Sequence, residues 1–188
     1  MPFQQAGAEE IKMPSQKATF AAGCFWGVEK FFLEAKGVLS TQVGYTGGKT
    51  KNPSYEAVCS GLSGHAEAIE IVYDPSQISY EDLVELFFTH HNPTTLNRQG
   101  NDVGTQYRSS IFYHNEAQKE AGRKAIEALN KAAIFKSPVI TQLEPAAEFY
   151  RAEEYHQKYL KKNPNGYCSL QMQPRRVSEV LKEARKVS

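Results

Sequence analysis

Apolar positions change spacing along this chain, and the order of those changes predicts a fold. Lys17 to Ala22 is a short strand-like run that feeds into Gly23. From there Phe25, Val28, Phe32 and Ala35 recur at helical spacing, with Gly37 as a natural stop. Val38 to Tyr45 reads as a second strand, ended by Gly47-Gly48. A Gly- and Ser-rich loop carrying Tyr55 and Cys59 follows. Glu67 to Tyr73 alternates as a third strand and stops at Asp74-Pro75. Ser79 with Asp82 three residues on is a capping box, opening a helix that runs to the turn at Asn92-Pro93. Gln106 to His114 is a fourth strand.

The order β-α-β-β-α-β is that of a ferredoxin-like, split βαβ core: an α+β, two-layer sandwich with an antiparallel sheet and helices on one face. Beyond it, Glu116 to Lys131 is a helix with the Glu-to-Lys pairs Glu120/Lys124 and Glu127/Lys131. A strand near Val139 to Leu143 and a short helix near Ala152 to Lys161 complete the body. Asn163-Pro164-Asn165-Gly166 breaks the chain and starts a long irregular C-terminal segment, which should leave Tyr167-Cys168 mobile. The tail "RRVSEVLKEARKVS" from Arg175 is basic and amphipathic, with Val177, Val180, Leu181 and Ala184 on one side. The expected organisation is one catalytic domain over 17–168, an N-terminal extension at 1–16 and a helical tail at 169–188.

A chain of 188 residues with 22 Lys+Arg against 21 Asp+Glu suits one domain of ordinary size and shows no basic stripe in its first 170 residues. Nucleic acid is therefore not an expected partner. No apolar run approaches the roughly 20 residues that span a bilayer, and the N-terminus, with Glu9 and Glu10, lacks the apolar run of a leader. The expectation is a cytoplasmic monomer that binds no membrane. Three cysteines, Cys24, Cys59 and Cys168, make neither a disulfide framework nor a zinc pattern.

Cys24 stands where the first strand gives way to the first helix. The unpartnered N–H groups and the macrodipole there favour thiolate, predicting a nucleophilic sulfur. Phe25 and Trp26 beside it could form an apolar slot for a small uncharged group. One reading is hydrolysis, since Cys near Trp with His156 downstream is similar to a papain-type arrangement. That signature is broken, because "AAGCFW" lacks the upstream cysteine and Phe25 intervenes. His156 also lies in the charged run "AEEYHQKYLKK", where it reads as solvated. A thiol-sensing domain without turnover is a further alternative.

The stretches "GCFWGVE", "GYTGG", "YEAVCSG", "GHAEAIEIVYDP", "QGNDVGTQYRS" and "NPNGYC", in this order from about Ala18 to Cys168, closely resemble methionine sulfoxide reductase A. The resemblance implies peptide-methionine (S)-S-oxide reductase activity: thiol-dependent reduction of free and protein-bound methionine-S-sulfoxide, a repair of oxidised proteins. It assigns the nucleophile to Cys24, the methyl slot to Phe25 and Trp26, and the proton donor to Glu67. Tyr55 and Tyr107 would hydrogen-bond the sulfoxide oxygen, and Asp102 is the matching site aspartate. Cys168 is the implied resolving cysteine, giving a Cys24–Cys168 disulfide that thioredoxin reduces. Cys59 is implied to be a bystander, and His65 reads as structural. No metal or organic cofactor is implied.

Overall fold

The computed structural model describes residues 14–187. All but the last three residues of the expected N-terminal extension lie outside that range. In chain order the elements are β1 (Gln16–Ala22), α1 (Phe25–Leu33), β2 (Val38–Thr46), α2 (Tyr55–Cys59), β3 (Ala66–Tyr73), α3 (Tyr80–Thr89), β4 (Arg98–Gln99) and β5 (Asp102–Val103). They continue with β6 (Ser109–Tyr113), α4 (Glu116–Ala132), β7 (Gln142–Pro145), β8 (Tyr150–Arg151), α5 (Tyr159–Lys162) and α6 (Arg175–Arg185). Single 3-10 turns lie at Thr105–Tyr107 and Glu154–His156.

The main sheet runs β7-β6-β1-β3-β2-β8. Its four inner strands, β6-β1-β3-β2, are mutually antiparallel, which is the sheet of the expected α+β core. β7 adds to one edge in parallel with β6, and β8 adds two antiparallel pairs to the other edge at Gly44 and Tyr45. The period of two along a strand sends neighbouring residues to opposite faces, and β1 shows the consequence. Phe20 faces the helices and stacks on Phe32 of α1 at 5.3 Å and Phe87 of α3 at 5.2 Å. Ala21, on the other face, joins the small residues Ala66 and Ala68 under Phe112. β1 is buried on both sides from Ala18 to Ala22, so it reads as a continuous apolar run rather than an alternating one.

The Ser79/Asp82 capping box is present at the start of α3, with both reciprocal bonds at 3.0 Å. The expected Glu-to-Lys pairs on α4 are replaced. Arg123 donates to both oxygens of Glu120 and reaches Glu127. A planar guanidinium fork one turn from each carboxylate outcompetes two flexible lysines. The fourth strand is shorter than expected, because Thr105–Tyr107 coils into a 3-10 turn before it. The strand expected near 139–143 is displaced to Gln142–Pro145. The helix expected near 152–161 is a 3-10 turn and a one-turn α5, interrupted by Lys158 at φ 51.

The chain after Cys168 does not fray. α6 buries Val177, Val180 and Leu181. Arg185 bonds Asp82 at 2.8 Å and Glu85 at 2.9 Å, and Ser178 donates to Glu85. Both acceptors are on α3, so α6 is bound to the helix layer that supports the candidate site.

Candidate active site

The site is assembled where β1 hands over to α1. Gly23 takes φ +93, a left-handed conformation that favours glycine, and a side chain there would strike Gln99 at 2.6 Å. The turn delivers Cys24 as the N-cap of α1, but its side chain makes no capping bond. One of the first-turn amides is taken by a residue distant in sequence: Phe25 N–H donates to Glu67 Oε1 at 3.2 Å. Glu67 sits on β3 opposite Tyr45 of β2, in the middle of the sheet, and is 2% exposed. Burial therefore holds its proton, pushing its pKa from the ordinary 4.5 up to about 8. The Phe25 N–H opposes that shift and the Asp102 charge adds to it.

Cys24 departs from expectation. The helix end is present, and the Trp26 backbone N–H does favour thiolate. Burial at 8% exposure outweighs both, and the Glu67 charge adds to it, raising the thiol pKa well above its ordinary value. Desolvation of a small anion is the larger effect here, and helix-end stabilisation falls off within one turn. The resting sulfur is a thiol beside a carboxylic acid.

Aromatic rings wall one side. Phe25 is fully buried against Tyr45 at 5.8 Å and His156 at 5.1 Å, so only the floor of the site can present it. Trp26 is half-buried. Tyr159 stacks on one of its faces at 3.8 Å. The indole N–H donates to His156 Nδ1 at 3.0 Å. His156 is 0% exposed and also touches the rings of Tyr55 at 4.6 Å and Tyr155 at 3.9 Å. The reading of His156 as solvated is therefore corrected, because the 3-10 turn and the left-handed Lys158 rotate it inward, off any helical periodicity. Its Nδ1 is engaged by Trp26, and burial lowers its pKa. It is not the partner a papain-type thiol would need.

The polar side comes from loops. Tyr55 opens α2, Asp102 lies on β5 and Tyr107 ends a 3-10 turn. Both phenols feel the Glu67 charge and have pKa values raised chiefly by burial. Glu153 holds this side together, accepting from Tyr45 OH at 3.1 Å and from Tyr55 N–H at 3.3 Å. Asp102 accepts from Tyr167 OH at 3.2 Å through Oδ1, while its buried Oδ2 finds no donor among the described residues. Cys59 lies within hydrogen-bonding reach of the Tyr55 phenol, nearer the site than expected. His65 binds the loop that follows β2, accepting from Gly48 N–H at 3.0 Å and contacting Thr50 O at 2.6 Å.

Cys168 is also held. Leu170 packs on the core, Gln171 N–H donates to His90 O at 3.2 Å and Gln173 N–H to Thr89 O at 2.8 Å. The expectation of a mobile Cys168 gives way to an exposed thiol on an anchored strap. Backbone bonds to the end of α3 lie beyond the reach of local sequence pattern. All three cysteines are free. Among the described residues no group of three or more His, Cys, Asp or Glu is placed to hold a metal. Sequence reasoning missed Glu153 and misplaced His156. The signal available was that "EEYHQKY" mixes aromatics and charges without a helical stripe.

The family model described as peptide methionine sulfoxide reductase matches residues 16–187, including the segment after Cys168. A peptide methionine sulfoxide reductase MsrA of Methanothermobacter thermautotrophicus is 54% identical over 155 residues, covering 82% of this chain and 92% of that protein. The MsrA of Deinococcus radiodurans is 49% identical over 161 residues, covering 85% and 78%. Among solved structures, reduced Mxr1 from Saccharomyces cerevisiae superposes with a TM-score of 0.77 at 38% identity, covering 82% of this chain and 89% of that one. Methionine sulfoxide reductase A of Corynebacterium diphtheriae gives 0.73 at 41% identity, covering 82% and 77%.

Proposed function

This chain belongs to the peptide methionine sulfoxide reductase family, and from that premise we propose how its own residues reduce methionine-S-sulfoxide, free and in oxidised proteins. The observation that carries the reading is the buried pair at the start of α1: a thiol at Cys24 and, bonded to the next amide, a carboxyl at Glu67 that burial keeps protonated.

The sulfoxide offers a weakly electrophilic sulfur, a methyl group and a polar oxygen. The methyl sits against Trp26 with Phe25 below it. Glu67 gives its proton to the oxygen, which makes the sulfur a better electrophile. Cys24 attacks, and its own proton passes to the Glu67 carboxylate. That attack forms an S–S bond to the methionine sulfur. The hydroxyl then moves from that sulfur to Cys24 as the S–S and S–O bonds to methionine break, so methionine leaves with the freed electron pair and Cys24 is left as a sulfenic acid. One thiol and one sulfoxide become one sulfenic acid and one thioether, and Glu67 ends as it began. Tyr55 and Tyr107 donate to the oxygen. Asp102, whose Oδ2 has no donor among the described residues, accepts from a water or a substrate N–H.

Cys168 then condenses with the sulfenic acid, releasing water and forming a Cys24–Cys168 disulfide. Such a disulfide is the substrate of thioredoxin, whose thiolate attacks it by exchange. We take the catalytic unit as 17–168, with 169–188 as its bracing tail, acting as a monomer in the cytoplasm. Free cysteines suit that reducing compartment, and no helix among the described residues is long and apolar enough to cross a membrane.

The test is turnover of the two methionine sulfoxide epimers with dithiothreitol. The methyl wall and the oxygen donors fix one handedness, so the S epimer is reduced and the R epimer is not. Equal rates on both, or no reduction of either, would sink the reading.

A further inference from the structure

The mechanism uses Cys24 and Cys168 but leaves unexplained a glycine between them in the fold. Gly27 is the third residue of α1 and is buried there. Its backbone φ is not in the left-handed region, so no turn requires glycine at this point. Alanine is the better helix former at such a site. The cause is therefore sought in what surrounds the missing side chain. A methyl group built on Gly27 would come within 2.9 Å of Cys168 Sγ and within 2.9 Å of Leu170 Cγ. Real contacts of that kind do not reach under 3.0 Å, so the Cys168 and Leu170 side chains would have to shift from their seats.

The direction of that space matters. Residues three apart stack on one face of a helix, so Gly27 lies below Cys24. A Cβ on a helix tilts toward its N-terminus, which is toward Cys24. The thiol of Cys168 thus occupies the place of the absent side chain, on the side of α1 where Cys24 emerges. The strap is pinned on both sides of that thiol. Before it, Tyr167 OH donates to Asp102 Oδ1 at 3.2 Å. After it, Gln171 and Gln173 bond the last carbonyls of α3.

We propose that Gly27 is the positioning residue of the resolving step: its bare Cα is the seat on which Cys168 and Leu170 dock, one turn from Cys24. The inference rests on the reading of Cys168 as the resolving thiol and adds how that thiol is delivered. The sulfenic oxygen of Cys24 leaves as water with the Cys168 proton, and the S–S bond forms between Cys24 and a Cys168 thiol already docked on α1. A docked strap gives a high effective concentration without the cost of closing a free loop. Gly27 touches no reacting atom of the first step, and so the seat acts on disulfide formation rather than on oxygen transfer.

The experiment is Gly27→Ala in the full chain, mixed with one equivalent of methionine-S-sulfoxide without reductant. Methionine release and the Cys24–Cys168 disulfide are followed in the same samples, with a sulfenic-acid trap such as dimedone as the third readout. The ratio of disulfide rate to methionine rate should fall roughly 10²-fold, the scale on which a misplacement of about 1 Å acts on a proximity-driven step. Dimedone should capture Cys24 in the variant. Leu170→Ala, which empties the other side of the seat without changing α1, should lower the same ratio. A Gly27→Ala ratio equal to the parent's overturns the proposal. So does an equal slowing of both rates, which would mark a general distortion of α1. Cys168→Ser run alongside separates the two levels. If it turns over fully with thioredoxin, the resolving role falls and the seat with it. If it stalls while Gly27→Ala keeps the parent ratio, only the seat falls.

Discussion

Glu67→Gln is the perturbation on which the structure speaks most quantitatively. The amide keeps the shape and the burial of the side chain, and its oxygen can still accept from Phe25 N–H, but it has no acidic proton. General-acid contributions run about 10²–10⁴-fold, so the single-turnover rate should fall by that range while substrate affinity changes little. The parent enzyme carries a second signature. With a pKa of about 8, roughly nine-tenths of Glu67 is protonated at pH 7 and about one-tenth at pH 9, so the rate should drop about tenfold between them. Burial raises the Cys24 thiol further still, so the acid limb comes first and is not masked by thiolate formation. Glu67→Gln should show no such limb. The same shift acts on stability. The unfolded chain ionises Glu67 near 4.5 while the folded one holds the proton to about 8. The fold therefore binds more protons across that window and loses stability as pH rises through it, by about 3 kcal/mol between 4.5 and 7. Glu67→Gln removes this penalty, so its gain in melting temperature should be larger at pH 8 than at pH 5. The assays are quenched-flow release of methionine and thermal melts across pH. A parent rate that is flat or rising from pH 7 to 9, or a variant within about threefold of the parent, outside the general-acid range, would remove Glu67 from the acid role.

Other outcomes follow from the same geometry. Cys24→Ser puts a poorly ionised hydroxyl in place of the thiol and should abolish reduction; measurable single turnover in that variant contradicts the mechanism. Cys168→Ser should still release about one equivalent of methionine, because the first step needs only Cys24, and then lose thioredoxin-dependent turnover while a small thiol still supports it. Peptide mapping of the parent should show the Cys24–Cys168 link and that of the variant none. Glu153→Ala leaves Tyr45 OH and Tyr55 N–H without their shared acceptor. It should cost about 1–3 kcal/mol in urea unfolding and raise KM more than it lowers kcat; an unchanged midpoint and KM would show that the carboxylate supports neither tyrosine.

The sequence by itself determined the parts of this protein whose causes are local. The order of strand and helix periods set the β6-β1-β3-β2 sheet and its two crossover helices, because hydrophobic spacing records which face is buried. The Ser79/Asp82 box marked the start of α3, and Gly23 the turn that presents Cys24. The motif stretches named the family and the candidate residues around it. Tertiary structure decided what depends on neighbours remote in the chain. The state of Cys24 was set by burial and by Glu67, 43 positions away in the numbering, and these outweighed the helix end that sequence alone could see. His156 was turned inward by a left-handed residue in a short irregular turn, where no period exists to read. Cys168, which a Pro/Gly break made mobile on paper, was held by backbone bonds to α3 and by the empty place at Gly27. Local pattern reports propensity and facing; the charge state of a buried thiol and the seating of a strap arise only from atoms that folding brings together.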